Sequence, residues 1–146
     1  GERKRVLIAR SMMTDPELLL LDEPAAGLDL GGREELVGRL EDLAADPESP
    51  ALVLVTHHVE EIPRGFSHCL ILSEGDVVAS GLLPDVLPAE NLAKAFGQSI
   101  ALDVFDGRYF ARRTRSRAPA RASSLAAAAT PRATAGTHAR SIVSLS

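Results

Sequence analysis

The sequence predicts an α/β fold with a parallel sheet flanked by helices, on three observations. Leu18-Leu19-Leu20-Leu21 and Ala51-Leu52-Val53-Leu54-Val55 are short, uniformly apolar runs. Runs of this kind suit strands buried on both faces of a parallel sheet. Between them Leu36, Leu40 and Leu43 fall on one helical face, with Glu34, Glu35, Arg39 and Glu41 covering the rest, so an amphipathic helix joins the two strands. The runs end in Asp22-Glu23 and in Thr56-His57-His58. Ligands bind at the carboxyl ends of strands in open α/β sheets, which makes Asp22, Glu23 and His57 the first candidate functional residues, with His58 read as structural or packed outward.

The remaining elements follow in chain order. Glu2–Met13 reads as a helix with Val6, Ala9 and Met13 on one face, ended at Thr14-Asp15-Pro16 because the residue before proline is pushed out of the helical region. Gly31-Gly32 opens the helix that carries Leu36, and Asp46-Pro47-Glu48-Ser49-Pro50 is a loop. Glu60 and Glu61 lie on a short helix closed by Pro63 and Gly65. Cys69–Leu72 is a third strand, turning through Ser73-Glu74-Gly75-Asp76 into Val77–Ala79 as a hairpin. Pro84–Leu87 and Glu90–Phe96 are short helices around Pro88, the second stopped by Gly97. Ile100–Phe105 and Arg108–Ala111 flank Asp106-Gly107, a strong two-residue hairpin turn. From about Thr114 no helical or strand period persists, and the Ala, Arg, Ser and Thr bias predicts a disordered tail over 114–146.

Composition narrows the function. Aromatics are 3% and Trp is absent, which argues against a base-stacking platform for single-stranded nucleic acid. One cysteine, Cys69, cannot build a disulfide framework and reads as a core thiol. No apolar run approaches the length of a membrane span and no signal-peptide pattern opens the chain, so a soluble cytoplasmic location is expected. The net charge of −4 hides an asymmetry: all 20 acidic residues lie at or before Asp106, where they give −12 with 8 basic ones, and the rest carries 8 arginines and no acid. The two parts are different kinds of segment.

The longer string Leu18-Leu19-Leu20-Leu21-Asp22-Glu23-Pro24-Ala25-Ala26-Gly27-Leu28-Asp29 resembles the Walker B motif and D-loop of the ATP-binding-cassette (ABC) ATPases. Gly1-Glu2 followed by Arg5-Val6 and Ile8-Ala9-Arg10 resembles the tail of the family's signature sequence. Thr56-His57 stands where the family carries its switch histidine. Ala26 departs mildly, at a position where Ser is frequent. The resemblance spans Gly1 to about Arg113, a cassette portion over 1–113 with the tail over 114–146. Neither Walker A nor a Q-loop is present: no G-x-x-x-x-G-K-[ST] occurs, and Lys4 and Lys94 lie outside any glycine loop.

The resemblance implies a partial P-loop NTPase, a RecA-like ABC ATPase sheet ending in a hairpin, and ATP with Mg2+ as cofactors. It implies Glu23 as the base that polarises the attacking water and His57 as the switch histidine. Asp22 would hold Mg2+ through water, and Gly1, Glu2 and Asp29 would serve nucleotide across a head-to-tail dimer. The implied partners are a second ATPase subunit and transmembrane permease subunits, at the inner face of the membrane, with no nucleic acid. In the family Leu18–Leu21 would pair in parallel with Leu52–Val55. The P-loop strand would lie between Leu52–Val55 and Cys69–Leu72, so this chain is expected to leave that slot gapped or to close it by a pairing foreign to the family. Two other readings stand beside the transporter ATPase. One is a non-catalytic truncated remnant or dimerising, regulatory module; the other is a soluble ABC protein unconnected with transport.

Overall fold

The computed structural model describes residues 2–114 and 141–145, with the side chains of residues 2–5 and 141–143 left undescribed. The elements run α1 (Glu2–Met12), β1 (Leu18–Asp22), α2 (Leu30–Ala45), β2 (Ala51–Thr56), a 3-10 turn (Val59–Glu61), β3 (His68–Ser73), β4 (Asp76–Leu82), α3 (Leu83–Val86), α4 (Ala89–Phe96), β5 (Ile100–Phe105), β6 (Arg108–Arg113) and β7 (Ser141–Leu145). A five-stranded sheet has the order β1-β2-β7-β3-β4, and β5-β6 forms a separate two-stranded ribbon. In the large sheet β1, β2, β7 and β3 are parallel, and β4 returns antiparallel as an edge.

The expected parallel pairing of the two apolar runs is present, with Leu19 opposite Leu52 and Leu21 opposite Leu54. These four leucines, with Cys69 and Ile71 of β3 and Leu145 of β7, line one face of the sheet and enter one core with Leu36 and Leu40 of α2 and Leu92 of α4. Burying each such side chain stabilises by about 1.5–3 kcal/mol. The expectation of burial on both faces does not hold, because β1 alternates: Leu18 is 57% and Leu20 63% exposed. Val53 and Val55 beside them are half-buried. A local apolar run records that a strand can be covered twice, and the described helices cover the Leu19–Leu21 face.

α1 also packs differently from its expected stripe. Ile8 and Met12, one turn apart, touch the core, whereas Val6 and Met13 are 63% and 85% exposed. Met13 lies beyond the last helical residue. α2 begins as Gly31-Gly32 implied, with Asp29 as N-cap accepting a 2.8 Å hydrogen bond from the Gly32 amide. Both hairpins turn on paired left-handed residues, Glu74-Gly75 and Asp106-Gly107, the conformation that tight two-residue turns demand.

The disordered tail expected over 114–146 holds a strand at 141–145. β7 lies between β2 and β3, parallel to both, with Leu54 opposite Val143 and Cys69 also opposite Val143. It fills the slot that the family resemblance assigns to the P-loop strand. Two adjacent strand edges offer backbone partners that an isolated Ser-Ile-Val-Ser-Leu lacks, and Leu145 completes the core with no exposure. The expectation for residues 115–140 and Ser146 lies outside the described residues.

Burial pushes the Cys69 thiol up to about 12. The folded chain thus keeps its thiol proton where the unfolded chain, titrating near 8.5, has lost it. Stability from this group is fully present below that value and falls as pH rises towards 12, at up to about 1.4 kcal/mol per pH unit. Burial, aided by Cys69, raises Tyr109 as well and adds to the fall above pH 10. Urea midpoints are therefore expected to decline between pH 9 and 11, with a shallower slope in Cys69→Ala. Equal slopes in the two chains would contradict it.

Candidate functional site

The carboxyl ends of β1 and β2 lie side by side because the strands are parallel and in register, Asp22 opposite Val55. Glu23 continues the ladder by one bond, its N–H donating to the Val55 carbonyl at 2.9 Å. Its φ of 42° then turns the chain sharply, in a left-handed conformation that costs a non-glycine residue roughly 1–2 kcal/mol. Asp22 is exposed at the strand end, and the turn sends the next carboxylate elsewhere. Glu23 Oε1 stands 3.1 Å from His57 Nδ1, joining residues 34 apart in sequence. A carboxylate only accepts, so Nδ1 carries the proton in this contact and Nε2 is left for another partner. Both side chains are about half exposed, and an open groove of roughly 280 Å³ runs past His57, His58, Phe96 and Arg112.

The segment bearing the histidines is pinned from beneath. Thr56 is 1% exposed; its hydroxyl donates to Glu61 Oε2 at 2.5 Å and accepts from the His58 N–H at 3.1 Å. Glu61 is itself 6% exposed, on the 3-10 turn just after the histidines. The His57 and His58 rings lie 4.1 Å apart, tilted by 44°.

The β5-β6 ribbon clamps the same turn from outside. Arg108 donates to both carboxylate oxygens of Glu34 on α2 and to the Glu60 carbonyl, and the Ala111 N–H donates to Glu60 Oε1 at 3.1 Å. Arg64 joins Glu41, at 2.9 Å, to Asp106 in the ribbon's turn, at 3.0 Å. Burial alone would raise the Glu41 carboxyl, but the Arg64 hydrogen bonds and charge outweigh it and hold the group below its usual range.

The structure thus brings Asp22, Glu23 and His57 to one strand-end surface. Asp29 is engaged as the cap of α2. Gly1 lies outside the described residues, and Glu2 opens α1. Sequence reasoning passed over Thr56, Glu61 and Arg108, which position the histidine segment. No local signal marks Glu61: Val59 and Ile62, three apart, define the apolar side of the 3-10 turn, and Glu61 falls off it. No cluster of three or more His, Cys, Asp or Glu able to cage a metal occurs among the described residues. Magnesium needs no such cage, since it keeps waters and takes one or two carboxylates plus phosphate oxygens, and the exposed Asp22 carboxylate fits that demand. No described helix is long and apolar enough to cross a membrane.

No protein-family model matches the chain. The chain is 40% identical over 111 residues to a "Putative ABC transporter ATP-binding protein" of Streptococcus mutans, covering 75% of this chain and 43% of that protein. It is 43% identical over 100 residues to the uncharacterized ABC transporter ATP-binding protein YlmA of Bacillus subtilis, covering 68% and 38%. Identity reaches 49% over 86 residues with the molybdenum import ATP-binding protein ModC of Pectobacterium atrosepticum, covering 59% and 24%. The fold resembles a solved structure described as "an inward-facing conformation of a putative metal-chelate type ABC transporter", with a TM-score of 0.63, 26% identity, and coverage of 78% of this chain and 45% of that one. The chain therefore spans about two-fifths of the length of the first two relatives, and the matches fall in the C-terminal part of the proteins compared. With β1 and β2 paired in parallel in one sheet, and relatives of this identity across most of its length, the chain belongs to the ABC transporter ATP-binding family.

Proposed function

We propose that this chain is the C-terminal half of an ATP-hydrolysing subunit of an ABC transporter, competent when joined to a P-loop half. The observation that carries the reading is the 3.1 Å contact between Glu23 and His57 at the ends of adjacent parallel strands. Glu23 takes the proton of the attacking water, and His57 holds the Glu23 carboxylate in place through Nδ1. Asp22 would hold magnesium, which takes one or two carboxylates and phosphate oxygens. Bound magnesium-ATP supplies the phosphoryl group and the charge neutralisation that its transfer requires. Glu2 opens α1, where backbone N–H groups suit an anion; Gly1 and Glu2 serve the nucleotide of the opposite subunit, and Asp29 belongs to the dimer face. The partners are a second ATPase subunit, head to tail, and permease subunits that hold the assembly at the inner face of the cell membrane. The neighbours named for molybdenum and metal chelates favour import of a metal-containing solute over nucleic-acid work.

One observation favours a non-catalytic role for the 146-residue polypeptide by itself: it contains no G-x-x-x-x-G-K-[ST]. Phosphate contacts in P-loop proteins come mainly from that loop. Calorimetry on this polypeptide is expected to show no saturable magnesium-ATP binding in the micromolar range. Fused behind the portion of the Streptococcus mutans relative that precedes the matched segment, the chain is expected to bind and hydrolyse ATP. Tight binding by the polypeptide alone would overturn the first statement, and an inert, folded hybrid the second.

A further inference from the structure

The strand that completes the middle of the sheet is the last in the chain. β7 pairs in parallel with Leu52–Thr56 on one side and His68–Ile71 on the other, and 27 residues, 114–140, separate it from β6. Such a length reaches at most about 90 Å when extended, so the covalent connection does not dictate where the strand docks. Binding in this position uses backbone ladders on two edges plus alternate apolar side chains, the strand-addition mode of recognition. It demands a parallel direction and apolar alternation rather than one particular sequence. The present occupant meets those demands imperfectly. Ser144 is buried at 9% exposure, where a central parallel strand ordinarily carries an apolar residue.

We propose that the space between β2 and β3 is a strand-accepting slot, and that 141–145 is its exchangeable occupant, displaced by a more uniformly apolar parallel strand from the remainder of the same cassette. The source of that strand rests on the reading of this chain as half of a cassette. The relatives' additional length, over half of each, provides it. The exchange itself does not rest on that reading. Segment 141–145 then keeps the half-cassette's sheet closed and yields the slot when the cassette is complete.

The test uses the full 146-residue chain and a fluorescein-labelled peptide of residues 139–146. The parent chain is expected to take up the peptide slowly, and a peptide carrying Ser144→Val to compete about tenfold better. The register puts Cys69 opposite Val143, on strands about 4.8 Å apart, within the Cα span that a disulfide bridges. Val143→Cys should therefore oxidise to a Cys69 bridge that abolishes peptide uptake, with recovery on reduction. Hydrogen exchange provides a second measurement, with Val143→Pro expected to lose at least tenfold protection at Leu52–Thr56 and His68–Ile71 and to regain it with excess peptide. Equal uptake by oxidised and reduced Val143→Cys, no bridge at all, no uptake by the parent, or unchanged protection in Val143→Pro would each overturn the proposal. Peptide exchange alongside an inert hybrid ATPase retains the slot and removes the cassette reading; the opposite pair of results does the reverse.

Discussion

Replacing Glu23 by glutamine in a complete cassette is expected to lower steady-state ATP hydrolysis by roughly two to four orders of magnitude, the usual worth of a general base, while ATP binding persists. Glutamine keeps the size of the side chain and a hydrogen-bonding oxygen near His57 Nδ1, 3.1 Å from Glu23 Oε1. It loses the capacity to take a proton. His57→Ala should bring a loss of similar order, because the carboxylate then lacks the ring that holds it. His58→Ala should bring a much smaller one, since His58 meets the site through the neighbouring ring. Steady-state phosphate release on the three variants, alongside nucleotide affinity, separates the roles. Hydrolysis at the parent rate by Glu23→Gln would reduce Glu23 to an acid at a strand end.

Thr56→Val is expected to destabilise the chain by about 2–3 kcal/mol, because it leaves the Glu61 carboxyl buried with its Thr56 partner removed and deprives the His58 N–H of its acceptor. Valine is nearly the same size, so packing changes little and the loss reports the hydrogen bonds. Thr56→Ser retains the hydroxyl and should cost under about 1.5 kcal/mol, the range of a single deleted methyl group in a core. Urea midpoints at constant m-value measure both. If Thr56→Val matched the parent, the buried Thr56–Glu61 contact would contribute nothing to holding the histidine segment.

The elements whose instructions are local were readable in advance. α2 shows its stripe at Leu36 and Leu40, Gly107 marks its turn, and the apolar runs of β1 and β2 end in the residues that meet at the site. The Glu23–His57 contact was legible as a motif resemblance, since two strand ends adjacent in a parallel sheet bring their exit residues together. What escaped was set by distant partners. Ser-Ile-Val-Ser-Leu becomes a strand because two edges far away in sequence are there to receive it. Arg108 looks like one more basic residue until Glu34, on α2, and the Glu60 carbonyl come within its reach. Likewise nothing in Leu18-Leu19-Leu20-Leu21 says which of its alternate side chains a helix will cover.

That one-sided covering has a thermal consequence. Leu18 and Leu20 stand exposed on the outer face, with Val53 and Val55 half-buried beside them. Water against such side chains carries a positive hydration heat capacity. Whatever body closes over this face must release it, so the association enthalpy grows more negative on warming. The contact is then entropic in the cold and increasingly enthalpic in the heat, whether its cover is a helix of the same cassette or the wall of another protein.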